Sequence, residues 1–152
     1  MIKDFFKEAF ELSEQAIEEN TGGPFGAVIV CDNQIIGRGM NTVLRDHDPT
    51  AHAEINAIRD AARQIANHDL GRCFLVTTSE PCPMCLMAAA WSGVQKIYYA
   101  APHSLADQYG FRDQKLAESI SGRPVETIEV AEFGLQAKEI FETWKKQGGQ
   151  IY

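Results

Sequence analysis

The chain has 152 residues, of which 45% are hydrophobic and 23% charged, with a formal net charge of −7. These values fit one globular domain with a full core and argue against disorder. No apolar run approaches the ~20 residues needed to cross a bilayer, and Met1 to Phe6 lack the apolar stretch of a secretory signal, so the cytoplasm is the expected location. Apart from the adjacent pair Lys145–Lys146, the basic residues are scattered, which argues against a nucleic-acid partner held by its phosphates.

Ile2 to about Asn20 predicts a helix with Phe6, Ala9, Phe10, Ala16 and Ile17 on one face, broken by Thr21-Gly22-Gly23-Pro24. Phe25 to Cys31 reads as a buried strand, Asp32-Asn33 as a turn, and Gln34 to Gly39 as a second strand. Thr42 to Thr50 is polar and reads as a loop. Thr50 is placed to cap a helix starting near His52, with Ile55, Ile58, Ala62 and Ile65 as its apolar stripe. Cys73 to Thr78 predicts a buried strand. Pro81 stands at the entry of a second helix, which runs to about Ser92 and stops at Gly93. Lys96 to Ala101 is another strand, Pro102 to Arg123 has no clear pattern, and Val125 to Val130 reads as a fifth strand. Phe133, Ala137, Ile140, Phe141 and Trp144 line a last helix, ended by Gly148-Gly149. Strands alternating with helices predict a sheet covered on both faces.

Chemistry concentrates in two fragments, His52-Ala53-Glu54 and Pro81-Cys82-Pro83-Met84-Cys85. Cysteines three apart at a helix start put both sulfurs on one face of the first turn. The unpaired amide hydrogens and the helix dipole there favour thiolates. Two thiolates and one imidazole make three zinc ligands and leave a tetrahedral position open for water. His47, His68 and His103 have no companion at ligand spacing. Glu54 is placed to take a proton from that water and pass it to a leaving nitrogen, without binding the metal. A thiol redox pair beside a surface histidine is the bland alternative, and it has no use for His-Ala-Glu. The remaining cysteines, Cys31 and Cys73, are expected as small buried hydrophobes. Glu80 is expected as a capping or structural group, and Glu139 and Glu142 as solvated charges.

His-x-Glu followed by Pro-Cys-x-x-Cys, each opening a predicted helix, resembles the signature of zinc deaminases. The whole chain resembles the cytidine-deaminase-like superfamily and, within it, the bacterial guanine deaminases. The narrower likeness rests on Gly22-Gly23-Pro24-Phe25-Gly26-Ala27-Val28, Asn41, Asp48-Pro49-Thr50-Ala51-His52-Ala53-Glu54, Trp91, Tyr98 to Pro102, Gly110-Phe111-Arg112-Asp113 and Tyr152. The resemblance implies a single domain over 1–152, a three-layer α/β/α sandwich around a five-stranded mixed sheet. It implies one zinc per chain on His52, Cys82 and Cys85, with Glu54 catalytic. It implies that Phe25, His52 and Trp91 wall a flat ring and that Asn41 hydrogen-bonds the ring edge. The Ala53 amide would hold a ring carbonyl, and Asp113 and Tyr152 would recognise the far side of a purine.

The implied reaction is hydrolytic deamination of guanine to xanthine and ammonia. The alternatives are a tRNA adenosine deaminase, which shares both metal fragments, a cytosine or cytidine deaminase, and a deaminase of guanosine or another aminated heterocycle. A zinc-stabilised binding module without catalysis is disfavoured by an intact Glu54. The Gln150-Ile151-Tyr152 tail comes after two glycines yet holds two residues suited to packing. By resemblance it closes over the purine, with a segment of about 132–152 exchanged between the subunits of a homodimer.

Overall fold

The computed structural model describes residues 1–112, 116–118 and 125–151. Helix α1 (Ile2–Glu18) precedes strands β1 (Gly26–Cys31) and β2 (Gln34–Met40). A one-turn helix α2 (Val43–Asp46) and helix α3 (Ala53–Gln64) lead to β3 (Cys73–Ser79). Helix α4 (Pro83–Trp91), β4 (Lys96–Ala101), α5 (His103–Gln108) and β5 (Glu126–Glu129) come next, and a 3-10 turn (Ala131–Phe133) enters α6 (Gly134–Lys146). The sheet has five strands in the order β2-β1-β3-β4-β5. β1 is antiparallel to both β2 and β3, whereas β3, β4 and β5 are parallel. The result is the α/β fold with a five-stranded mixed sheet that the resemblance implies.

Strand alternation divides the core between the two faces. Val28, Val30 and Val76 point to one face, where they meet Phe5, Phe6 and Phe10 of α1 and Ile140, Phe141 and Trp144 of α6. Ala27, Ile29 and Leu75 point to the other, under Ala53, Ala57 and Ala61 of α3 and Leu86 and Ala89 of α4. A strand buried on both faces reads as one apolar run, which is the pattern of β1. The Asp32–Asn33 turn places both residues at positive φ, 49° and 60°, as a two-residue hairpin of this hand requires.

The structure corrects four local expectations. The Thr42–Thr50 segment contains α2, which ends at His47 in the left-handed region, φ 51°. Thr50 does not cap α3: its amide and hydroxyl both bond Asp48 Oδ1, at 2.8 and 2.7 Å, and the N-cap is His52. Pro83, not Pro81, is the first residue of α4. Cys31 and Cys73 are directly opposed across β1 and β3, with Cα atoms 4.4 Å apart, and form a disulfide. The sequence suggests two separate buried hydrophobes; the antiparallel register is what brings them together.

The apolar stripe of α3 differs as well. Ile55 and Ile58 are only half-buried and Ile65 is exposed; the face against the sheet is Ala53, Ala57 and Ala61. Small side chains here let the helix lie directly on β2, where Gly37 and Gly39 face it. A Cβ on Gly39 would fall 2.1 Å from the Ala53 carbonyl oxygen and 2.4 Å from the Ala57 amide nitrogen. Backbone cannot retreat from such a clash without moving the start of α3. We expect Gly39→Ala to destabilise the fold by about 1–3 kcal/mol, the usual range for overpacking. Denaturant unfolding checks this, and an unchanged midpoint would mean that α3 is not seated by this contact.

Candidate active site

Two helix starts converge above the carboxyl end of β3. His52 is the N-cap of α3 and Cys82 the N-cap of α4, both with extended backbone, ψ 157° and 164°. Neither side chain makes a capping hydrogen bond, so both are turned to another use. His52 Nδ1 lies 3.6 Å from Cys82 Sγ and 3.5 Å from Cys85 Sγ. All three donor atoms fall within 4.8 Å of one another, and they form the one such metal-capable group among the described residues. A tetrahedral zinc with ordinary bonds of ~2.1 Å to nitrogen and ~2.3 Å to sulfur separates those donors by about 3.6 Å. The two nitrogen-to-sulfur spacings therefore fit zinc.

Burial and charge agree with that reading. Cys82 and Cys85 are buried, as is Glu54. The hydrogen bond from Cys85 pulls the Cys82 thiol down to about 4, against burial and with help from His52. The same bond, then burial and the neighbouring Glu54 carboxylate, push the Cys85 thiol well above its ordinary value. Burial and the nearby carboxylate thus penalise a second thiolate at this point, and a cation bound between the sulfurs relieves that penalty. Glu54, in the first turn of α3, stands beside this centre and is not a member of the ligand group.

A cavity of about 830 Å³ opens onto His52, Glu54 and Cys82, within the size range of small-molecule sites. Phe25 forms part of its wall, held edge-on by Phe111 and Phe141 at centroid distances of 4.9 and 5.5 Å. Asn41 is buried behind the wall rather than on it. Its Oδ1 accepts the amides of Gly23 at 3.3 Å and Val43 at 3.2 Å, so it braces the loops on both sides. With the oxygen so used, Nδ2 is the side chain's remaining polar group. Ala53 is fully buried at the first position of α3, where an amide has no partner within its own helix.

The structure corrects the expectation for Trp91, which does not wall this cavity. It is 95% exposed at the far end of α4, and nine residues from Cys82 at 1.5 Å each place it roughly 13 Å along the helix axis. Asp113 and Tyr152 lie outside the described residues, but their neighbours Arg112 and Gln150 both line the cavity. Glu139 is exposed and Glu142 half-buried, and neither reaches it. No separate signal in the sequence marks Val43, Leu44 and Pro49, which line the cavity from the segment that reads as a loop. His47, which sequence spacing addresses only as a ligand, lines the wall instead. Phe111 stands out only within a longer motif, although it packs directly on Phe25.

The fold and this centre together define a zinc-type deaminase, and comparison with known proteins agrees. The chain belongs to the family of the cytidine and deoxycytidylate deaminase zinc-binding region, which matches residues 1–101. Guanine deaminase of Bacillus subtilis is 40% identical over 144 residues, covering 93% of this chain and 92% of the relative. Its crystal structure superposes with a TM-score of 0.74 at 37% identity, covering 99% of this chain and 97% of that one. The solved guanine deaminase of Nitrosomonas europaea reaches a TM-score of 0.75 at 27% identity, over 94% and 82% of the two chains. A tRNA-specific adenosine deaminase of Buchnera aphidicola is 41% identical over 108 residues, which is 70% of this chain and 65% of the relative.

Proposed function

We propose that this chain is a cytoplasmic guanine deaminase that exchanges the exocyclic amine on carbon 2 of guanine for oxygen from water, releasing xanthine and ammonia. The observation that carries this reading is the likeness to the B. subtilis enzyme over nearly the full length of both chains. Likeness to the Buchnera tRNA deaminase spans less of each partner. A formal net charge of −7 also suits a small base better than a polynucleotide. Among the described residues, no helix is long and apolar enough to cross a membrane.

In this reading His52, Cys82 and Cys85 hold one zinc per chain. When bound, zinc supplies Lewis acidity that makes hydroxide available near neutral pH. Glu54 takes up the proton of the attacking water and delivers it to the leaving nitrogen. Phe25 and the His52 ring sandwich the flat base. The Asn41 Nδ2, from behind the wall, is assigned to its edge, and the Ala53 amide to a ring carbonyl. Asp113 and Tyr152 are assigned to the far side of the purine.

Glu54→Gln should keep about one zinc per chain, measured by elemental analysis, and lose turnover by ~10²–10⁴-fold or more. Near-normal activity would remove Glu54 from proton transfer; loss of the metal would make it a ligand. On a panel of bases and nucleic acids, xanthine formation from guanine should exceed deamination of adenine, cytosine or a tRNA anticodon stem by up to ~10⁴-fold. A site that pairs one ring edge leaves its polar groups unpaired with the others. Inosine formation in the tRNA substrate with no xanthine from guanine would reverse the assignment.

The reading extends to closure of the site and to assembly. Gln150 lines the cavity, and the Ile151 side chain sits so close to Gly110 that a Cβ there would fall 2.5 Å from it. The tail therefore reaches the rim over which it is proposed to close, excluding water and strengthening the polar contacts inside. We further assign a homodimer in which about 132–152 is exchanged. Such an exchange would preserve the packing of α6 while passing it to the other subunit. Met87 and Trp91, exposed one turn apart on α4, are offered as an apolar part of the subunit contact. Deleting Gln150 to Tyr152 should leave folding and zinc content intact and sharply lower guanine turnover. Full activity of the truncated chain would exclude the tail, and a strict monomer by sedimentation would exclude exchange.

A further inference from the structure

Two buried polar side chains outside the ligand set act on the backbone that presents Cys82. Glu80 and His103 are 7% and 8% exposed. The Glu80 amide donates to the Ala101 carbonyl at 2.7 Å. Its Oε2 accepts the amide of His103, the first residue of α5, at 3.0 Å. Its carboxylate thus satisfies an amide at the start of α5 rather than of α4. The ring of His103 turns back towards the cysteine loop. Nδ1 stands 3.4 Å from Glu80 Oε2, and Nε2 stands 2.9 Å from the Pro81 carbonyl oxygen. A carbonyl oxygen only accepts, so Nε2 carries the hydrogen and donates it.

We propose that His103 is a positioning residue for the metal centre: by holding the Pro81 carbonyl, it fixes the peptide that enters Cys82. Cys82 is an N-cap whose own side chain makes no capping bond, so the place of its sulfur depends on the backbone torsions on either side. The Pro81 carbonyl belongs to the peptide unit immediately before it. Replacing a buried carboxylate–imidazole pair by apolar residues of similar volume is often neutral for stability, so the use of this pair is geometric. It keeps Cys82 Sγ opposite His52 Nδ1 and beside Cys85 before any metal arrives.

The inference rests on the zinc reading of His52, Cys82 and Cys85 and does not depend on which base is deaminated. His103→Gln and His103→Asn separate the two ring contacts. The glutamine amide reaches the place of Nε2 and can still donate to Pro81, whereas the shorter asparagine amide sits near Nδ1, towards Glu80. Zinc affinity of the full chain is measured by competition with a chromophoric chelator. The cobalt-substituted proteins are compared by their thiolate-to-metal and ligand-field absorption, and the metal-free proteins by thermal unfolding. His103→Asn should lose about 10–100-fold in zinc affinity, the usual effect of removing an outer partner of a metal site. It should also shift the cobalt bands. His103→Gln should remain within a few-fold of wild type with unshifted bands. Equal affinities and spectra for the two variants would overturn the proposal, as would an affinity loss that only tracks a matching loss of metal-free stability. A wild-type chain that binds no zinc would remove the metal reading and this proposal together.

Discussion

One imidazole and two sulfurs, separated by about thirty residues of sequence, must meet within a few ångströms. Most of the structure can be understood as the means to that end. His52 sits on α3 and the cysteines on α4, and each helix is fixed by a different neighbour. α3 is pressed onto β2 through the contact of Ala53 and Ala57 with Gly37 and Gly39. Asn56 pins its start by donating to the carbonyl of Met40 and the hydroxyl of Thr42, both at 3.0 Å. α4 is set by the end of β3 and by the polar lock between Glu80 and the start of α5. Because β1 pairs with both β2 and β3, the two supports belong to one sheet. An error in the register of β1 would move the ligands apart, so the core specifies the site.

The same arrangement solves an electrostatic problem. Two cysteines and a glutamate buried at one point repel one another once ionised, and burial penalises each charge. Two helix N-termini directed there offset part of this with their amide hydrogens. A dication supplies the rest, which is why the donor set suits zinc better than a proton shared between sulfurs. The opposite pulls on Cys82 and Cys85 are the metal-free expression of that conflict. Glu54, two residues beyond His52 in the first turn of α3, stands close to the centre without being a member of the ligand group.

The sequence is most legible where chemistry and local structure demand the same residues. His-Ala-Glu and Pro-Cys-Pro-Met-Cys each need a helix start, and the elements around them can be placed from that. Legibility fails where tertiary contacts decide. Ile55, Ile58 and Ile65 make a convincing stripe, but a helix seated on glycines buries its alanines instead. Thr50 is a good capping residue by type, yet Asp48 claims it, and the ligand takes the cap. Cys31 and Cys73 lie in separate strands, and only the β1–β3 register shows them to be opposed. Trp91 shares a helix with the ligand cysteines, but helical rise carries it away from the cavity that its family likeness suggests. Asp113 and Tyr152 rest on resemblance alone, since they fall outside the described residues.

These contrasts divide the chain by function. The family match ends at residue 101, and the proposed metal ligands His52, Cys82 and Cys85 and the proposed proton carrier Glu54 all precede that point. The ring of residues that a bound base would meet beyond the metal is drawn partly from the carboxy-terminal third of the chain. Phe111 and Phe141 set the angle of Phe25, Trp144 packs on Phe111 at 5.2 Å, and Arg112, Leu116 and Gln150 reach the cavity wall. A change in α6 or in the segment before it can therefore alter the shape of the cavity through the aromatic cluster while the metal ligands stay in place. His103 is the exception to this division. It lies beyond the matched region yet holds the Pro81 carbonyl before Cys82, so in our proposal the start of α5 links the part that shapes the cavity to the part that holds the metal.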